Sequence, residues 1–120
     1  MVDLVSDPDL GRLLSAAKQE GKPVAALCHG VAGLLSADDG DVWPYAGLRM
    51  TGFTDLEEEQ GGYGNNIPYS VETVLRDAGG ILETGAPWSN KIVVDRSLIT
   101  GQNPQSSVST AQALVAALGR

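Results

Sequence analysis

The chain has 120 residues, a formal net charge of −7, 42% hydrophobic residues and one cysteine. This length predicts a single domain over residues 1–120. The acidic charge argues against nucleic-acid and membrane partners, since both need a basic surface. No apolar run approaches the roughly 20 residues of a membrane span, and the acidic start is unlike a secretory signal. With a lone cysteine, the expectation is a reducing, cytoplasmic setting.

The N-terminal part predicts a helix with clear end signals. Asp7 is a suitable N-cap, Pro8 is a suitable first helical residue, and Gly21 is a suitable stop. The apolar residues repeat at helical spacing and are expected to form one buried face. That predicted face consists of Leu10, Leu13, Leu14 and Ala17.

A wholly apolar run follows at residues 23–28, PVAALC. Its lack of polar alternation is typical of a strand buried on both faces of a parallel sheet. Residues 29–36 then predict a short helix, and residues 37–47 a polar, turn-rich excursion.

Strands and helices alternate through the remaining chain. Strands are predicted at residues 48–53, 81–85, 91–95 and 98–101, with residues 96–97 as the tight hairpin joining the last two. A helix start rich in acids is predicted at residues 55–60, and a full helix at residues 67–80, where Val71, Val74, Leu75 and Ala78 share a face.

A closing helix is predicted from Asn103 as N-cap, with Pro104 at its first position. This order of elements favours a layered α/β domain with a mainly parallel sheet.

The only cysteine, Cys28, and the only histidine, His29, are adjacent at the predicted strand-to-helix corner. Such a corner is the geometry of a nucleophile elbow, which strains its central residue and needs small neighbours, here Ala26 and Gly30. The following helix N-terminus would favour the thiolate, and the histidine could carry its proton. The alternatives are a buried, inert cysteine or a metal ligand, although one Cys and one His fall short of a four-ligand structural site.

A carboxylate that orients the histidine would complete a catalytic set. Four candidates lie close together in the stretch TGFTDLEEEQ: Asp55, Glu57, Glu58 and Glu59. The alternative is a solvated acidic helix start, which is the expectation for most of them. Spacing alone does not choose among the four.

Three blocks, VAALCHGVAGLL, RMTGFTDLEEEQ and VVDRSLITGQNPQSS, resemble the PfpI superfamily. This family has the class I glutamine amidotransferase-like fold, and the chain is most similar to its glyoxalase III branch. The resemblance implies a flavodoxin-like, mainly parallel sheet with helices on both faces. It also implies Cys28 as nucleophile, His29 as its partner with a backbone N–H at the oxyanion site, and Glu58 as the orienting acid, with Asp55 as the alternative.

The resemblance implies no cofactor, a small aldehyde substrate, and conversion of methylglyoxal to D-lactate. The alternatives are an amidase- or peptidase-like hydrolase, a non-enzymatic stress or assembly module, a degenerate fragment, and a redox role for Cys28. The GQNP stretch would lie near the active site, although residues 103 and 104 also suit a helix start.

The chain resembles only the second half of a family member. In relatives, a first half supplies strands, a catalytic glutamate and a glycine-rich loop of the oxyanion hole. Without it, the strand at residues 23–28 is expected to present an open edge, which a homodimer or a complementary N-terminal half would cover. Two further departures are CHGV in place of CHGP, and the glycine-rich GGYGNN at residues 61–66, where a reshaped loop is expected.

Overall fold

A computed structural model describes residues 2–38, 40–62 and 68–119. Its helices are α1 (Pro8–Gln19), α2 (Asp55–Gly61), α3 (Val71–Asp77) and α4 (Ser107–Ala117). Its strands are β1 (Val24–Leu27), β2 (Arg49–Met50), β3 (Ile81–Leu82), β4 (Ile92–Asp95) and β5 (Leu98–Gly101). Three 3₁₀ segments add Leu4–Ser6, Cys28–Ala37 and Pro104–Ser106.

The strands form a three-stranded sheet in the order β1-β5-β4 and a two-stranded sheet of β2 and β3. β1 runs parallel to β5, with Val24 opposite Leu98, and β2 runs parallel to β3. The antiparallel pair β4–β5 is the predicted hairpin: Asp95 faces Leu98, and Arg96 takes the left-handed φ of 55° that such a turn requires. The predicted α/β class with a mainly parallel sheet is confirmed.

β1 lies at the edge of its sheet, and in the described part of the chain it pairs only with β5. All four of its residues are half-buried, so the prediction of a strand buried on both faces is wrong for this structure. An edge strand lacks a neighbour on one side, and that side stays accessible. The expectation of an open edge is therefore met.

The first helix has the predicted ends. The Asp7 carboxylate accepts hydrogen bonds from the backbone N–H groups of Asp9 and Leu10, at 2.8 and 3.1 Å, and Gly21 has a left-handed φ of 68°. The predicted apolar face is wrong at one position. Leu13 is 64% exposed, because α1 packs on the 3₁₀ segment through its other side.

The predicted short helix after β1 is a 3₁₀ segment, Cys28–Ala37, and it forms the centre of the core. Val31 and Leu34 are at most 2% exposed, and the segment packs against both α1 and α3. Gly11 permits the contact with α1, because a Cβ there would lie 2.1 Å from the Ser36 carbonyl oxygen.

The excursion at residues 37–47 was predicted to be polar, and two of its aromatic residues are buried instead. Trp43 is 3% exposed and Tyr45 is 1% exposed. The Trp43 Nε1–H donates a 2.9 Å hydrogen bond to the Leu34 carbonyl, which satisfies the polar end of the ring inside the core. Turn residues surround these two side chains, and tertiary packing buries them.

Several elements are shorter than predicted. β2 and β3 have two residues each, and the helix predicted over residues 67–80 begins at Val71, with the Ser70 hydroxyl accepting from the Thr73 N–H. Residues 63–67 lie outside the described residues, as does most of the loop expected to be reshaped. Within the described ranges, the helices are too short or too polar to cross a bilayer.

Gly101 marks a close approach of β5 to α4. A Cβ there would lie 2.3 Å from Thr110 Oγ1 and 2.6 Å from Leu27 Cδ1. We expect Gly101→Ala to lower the free energy of unfolding by about 1–3 kcal/mol, the usual cost of overpacking. Urea unfolding of the purified chain measures this loss.

The control for this prediction is Gly30→Ala, since a Cβ at Gly30 meets nothing within 4 Å. Thr110 Oγ1 is buried without a hydrogen-bond partner among the described residues, so Thr110→Ala removes the obstacle at little cost. The double variant Gly101→Ala/Thr110→Ala should recover most of the loss. Strictly additive losses would contradict this account of the clash.

Candidate active site

The turn after β1 has the geometry of a nucleophile elbow. Leu27 is extended, with φ −139° and ψ 137°, and Cys28, the first residue of the 3₁₀ segment, takes a left-handed φ of 60°. A non-glycine residue in this region is strained, and such strain is concentrated at functional sites. The expectation that Gly30 must be small is wrong, because a Cβ there would meet no atom within 4 Å from the described residues outside its own 3₁₀ segment.

The structure brings Cys28, His29 and Glu58 together. The Cys28 Sγ lies 3.3 Å from Nδ1 of His29, and Nε2 of the same ring contacts Oε1 of Glu58. A carboxylate only accepts hydrogen bonds, so the proton on the neutral ring is assigned to Nε2. Nδ1 is then the acceptor that faces the thiol, which is the arrangement of a base poised to remove its proton.

The ionisation of Cys28 differs from the sequence-based expectation of a favoured thiolate. Burial raises the pKa of the Cys28 thiol, and the negative charges of Glu57 and Glu58 raise it further. The backbone N–H of His29 opposes them and lowers the pKa, but the net shift is upwards. The raised pKa of Cys28 therefore favours the thiol over the thiolate, contrary to the expectation from the sequence.

The other acids of the candidate set lie elsewhere. Asp55 is exposed; its carboxylate accepts a hydrogen bond from the Ser70 hydroxyl, and its backbone N–H donates to Glu72 at 3.1 Å. Glu59 is exposed on α2. Glu58, which is 7% exposed, is thus the acid of the four that the structure places on His29.

Glu57 contradicts the expectation of a solvated helix start, since it is fully buried. Its Oε1 accepts from the Thr54 N–H and Oγ1 and from Gln102 Nε2, at 3.0–3.1 Å. Its Oε2 accepts from the Trp88 N–H and Asn103 Nδ2, both at 2.8 Å. Burial by itself raises the pKa of Glu57, but the hydrogen bonds from Trp88, Asn103 and Thr54 outweigh it and the pKa is lowered.

Asn103 and Pro104 occupy the predicted N-cap and first positions, although of a 3₁₀ turn, and the Asn103 side chain has a different role from a cap. Its side chain makes no capping bond and instead donates to Glu57 Oε2 and, at 2.7 Å, to the Ser89 carbonyl. α4 begins at Ser107, after a 3₁₀ turn. One sequence signal could have indicated Glu57: the spacing from Thr54 is that of a capping box, which turns the glutamate back towards the helix start.

Phe53 packs on the imidazole, and Trp88 packs on Phe53. The Phe53 ring lies 4.3 Å from the His29 ring, centroid to centroid, at an interplanar angle of 31°. The Trp88 ring meets Phe53 edge-on at 5.5 Å, and Trp88 has a left-handed φ of 60°. No pattern in the sequence singles out Trp88.

Among the described residues, no group of three or more His, Cys, Asp or Glu side chains is suited to a metal ion.

No family model matches the chain, but its relatives are clear. The Bos taurus glutamine amidotransferase-like class 1 domain-containing protein 1 is 36% identical over 116 residues, 96% of this chain and 53% of that protein. The Francisella tularensis Rapid Encystment Protein 24 kDa matches with a TM-score of 0.92 at 27% identity, over 97% of this chain and 52% of that one. Glyoxalase III from Candida albicans matches with a TM-score of 0.85 at 32% identity, over 97% and 52%.

An α/β sheet that delivers a cysteine to a strained strand-to-helix corner, together with these neighbours, defines a class I glutamine amidotransferase-like protein. More narrowly, the resemblance to the PfpI superfamily is confirmed, and glyoxalase III proteins are among the relatives of the chain. It spans about half the length of the relatives that it matches, as expected for a chain resembling one half of a family member.

Proposed function

We propose that the protein is a cysteine-dependent, cofactor-free enzyme that converts methylglyoxal to D-lactate. The observation that carries the proposal is the contact chain from Cys28 Sγ through the His29 ring to Glu58. Relatives named glyoxalase support the substrate class. The cytoplasmic setting expected from the lone cysteine is part of the proposal.

The reaction begins with attack of Cys28 Sγ on the aldehyde carbon while the thiol proton passes to His29 Nδ1. Glu58 stabilises the imidazolium, since its carboxylate accepts the Nε2 proton. His29 returns the proton to the alkoxide oxygen, which completes the hemithioacetal. The proton on the former aldehyde carbon then moves to the neighbouring ketone carbon and the hydroxyl proton moves to the ketone oxygen, which leaves a thioester of the 2-hydroxy acid. Water then hydrolyses the thioester, which releases lactate and restores the thiol. The first carbon is oxidised and the second reduced, so no external electron acceptor is needed.

A second polypeptide is part of the proposal. β1 carries Cys28 at its end, and its outer edge is open in the described part of the chain. A second copy of the chain, or a complementary N-terminal half, would pair with this edge and enclose the site. Light scattering separates a dimer from a monomer, and recovery of activity on mixing with an N-terminal half of a relative would favour the complement.

The substrate is tested by incubating the full chain with methylglyoxal and following D-lactate by NMR and a stereospecific assay. Stoichiometric lactate without added cofactor is the expected result. Release of glutamate from glutamine in place of lactate would indicate a hydrolase. Suppression of aggregation of a client protein, with no turnover of either substrate, would indicate an assembly or stress module instead.

Exchanging single acids tests the role of Glu58. Glu58→Gln removes the carboxylate that contacts His29, so we expect kcat for methylglyoxal to fall about 10²-fold, within the range typical of general acid–base assistance. Asp55→Asn is the matched control, because Asp55 contacts Ser70 and not His29. Initial rates of lactate formation measure both. A larger loss in Asp55→Asn than in Glu58→Gln would assign the orienting role to Asp55.

A further inference from the structure

Two adjacent glutamates on α2 face different partners. Glu58 contacts the His29 ring, while the Glu57 carboxylate is buried and accepts its hydrogen bonds from other described residues. Since the two residues share a backbone, whatever holds the Glu57 carboxylate also fixes the place of Glu58.

The Glu57 carboxylate ties three separate segments together. Its donors are Thr54 at the start of α2, Trp88 in the loop before β4, and Gln102 and Asn103 after β5. Gln102 extends the network, since its Oε1 accepts from the Gly85 N–H at 2.8 Å. All five donor–acceptor distances at Glu57 are 2.8–3.1 Å, and the side chain is fully buried. A buried carboxylate with this many donors is rigid, because moving it would leave several groups unpaired.

The Glu57 carboxylate is also linked to His29 indirectly, through Trp88 and Phe53. Its 2.8 Å bond to the Trp88 N–H holds that residue at a left-handed φ, a conformation that costs energy without support. The Trp88 ring packs on Phe53, and Phe53 packs on the imidazole. Glu57 therefore connects to both sides of the His29 ring, through Glu58 on one side and through Trp88 and Phe53 on the other.

We propose that Glu57 is a positioning residue that orients the His29 ring towards Cys28 without itself touching the reacting atoms. The inference rests on the proposed function, because the orientation serves proton transfer from the thiol. The buried Glu57 carboxylate holds the imidazole in place, and its loss leaves the ring free to rotate away from Cys28.

The test variant is Glu57→Gln, which keeps the side chain's shape but places an N–H₂ group against groups that are themselves donors. The chain has a single histidine, so the exchangeable Nε2 proton of His29 gives one identifiable downfield NMR resonance while it is hydrogen-bonded to Glu58. We expect Glu57→Gln to abolish this resonance and to lower kcat for methylglyoxal about 10²-fold, the effect of a small misplacement of a catalytic group. The KM should change little, since the fully buried Glu57 carboxylate lies out of reach of a bound substrate.

Two controls separate positioning from general destabilisation. Glu59→Gln changes the next residue of the same helix, which is exposed, and should keep both the resonance and kcat. Val93→Ala removes methyl groups from a buried position of β4 and should lower stability while keeping the resonance. If Glu57→Gln fails to fold, Asn103→Ala removes one donor from the same carboxylate, and we expect a weakened resonance and about 10-fold lower kcat.

The outcomes distinguish this inference from the proposed function. Glu58→Gln is the reference variant, because it removes the carboxylate that contacts His29 directly. If it abolishes activity while a folded Glu57→Gln keeps the wild-type resonance and kcat, the positioning role is overturned and the enzyme mechanism stands. If Glu58→Gln is fully active, the proposed relay fails, and the resonance still reports whether Glu57 orients the ring. An unchanged resonance and kcat in Asn103→Ala would equally count against the inference.

Discussion

Cys28→Ser is expected to reduce methylglyoxal turnover by at least about 10³-fold, since a serine hydroxyl stays protonated where a thiol can still be ionised by a neighbouring base. Serine is nearly isosteric with cysteine, so the strained corner with φ 60° should survive the change. The measurement is the rate of D-lactate formation per mole of chain, alongside urea unfolding to verify the fold. Full turnover by the serine variant would rule out the thiol mechanism.

The pH dependence of the wild type provides an independent check on the same thiol. The pKa of Cys28 is raised from its ordinary value of 9.0, chiefly by burial. Less thiolate is then present at neutral pH than in a free cysteine, and the fraction grows as pH rises through the shifted pKa. Because the chain has one cysteine, its alkylation by iodoacetamide reports on this thiol alone. The alkylation rate at pH 7 should be slower than that of a cysteine peptide. It should still increase above about pH 9, because the pKa of Cys28 lies above that of a free cysteine.

Glu57→Ala is expected to lower the free energy of unfolding by about 3–5 kcal/mol, as when one partner of a buried charged network is removed. The alanine leaves the Trp88 N–H and the Gln102 and Asn103 amides buried without their acceptor. Urea unfolding at pH 7 measures the loss. Glu59→Ala, exposed on the same helix, is the control and should stay within about 0.5 kcal/mol of wild type.

The same carboxylate should make stability depend on pH. The folded-state pKa of Glu57 is lower than its ordinary value of 4.5, so the unfolded chain binds this proton more readily. The stabilisation is complete above pH 4.5 and is lost as pH falls through the lower folded-state pKa. Glu57→Gln should flatten this part of the stability profile. Identical acid limbs in wild type and variant would mean that other carboxyls control acid unfolding.

Elements with local signals were predictable from the sequence. The Asp7 cap and Gly21 stop of α1, the two-residue hairpin around Arg96, and the strained corner at Cys28 each depend on residues within a few positions of one another. Capping, turn conformation and apolar runs are short-range effects, and they carry their information in adjacent residues. These signals and the family resemblance were sufficient to predict the α/β class and to place Cys28 and His29 at the strand-to-helix corner.

Contacts between distant segments were decided by the tertiary structure. Spacing left four acids open in the stretch of residues 55–59, and the family resemblance favoured Glu58. Packing brings Glu58 to His29 and buries Glu57 against donors 31 to 46 positions away, which no sequence pattern predicted. The pKa of the Cys28 thiol is raised and not lowered as the sequence predicted, because burial and two nearby carboxylates outweigh the backbone N–H. Desolvation and charge proximity depend on which segments meet in space, and sequence periodicity does not record that. The sequence therefore predicted the Cys28–His29 pair and, through the family resemblance, Glu58, whereas the buried anchor Glu57 became evident only from the fold.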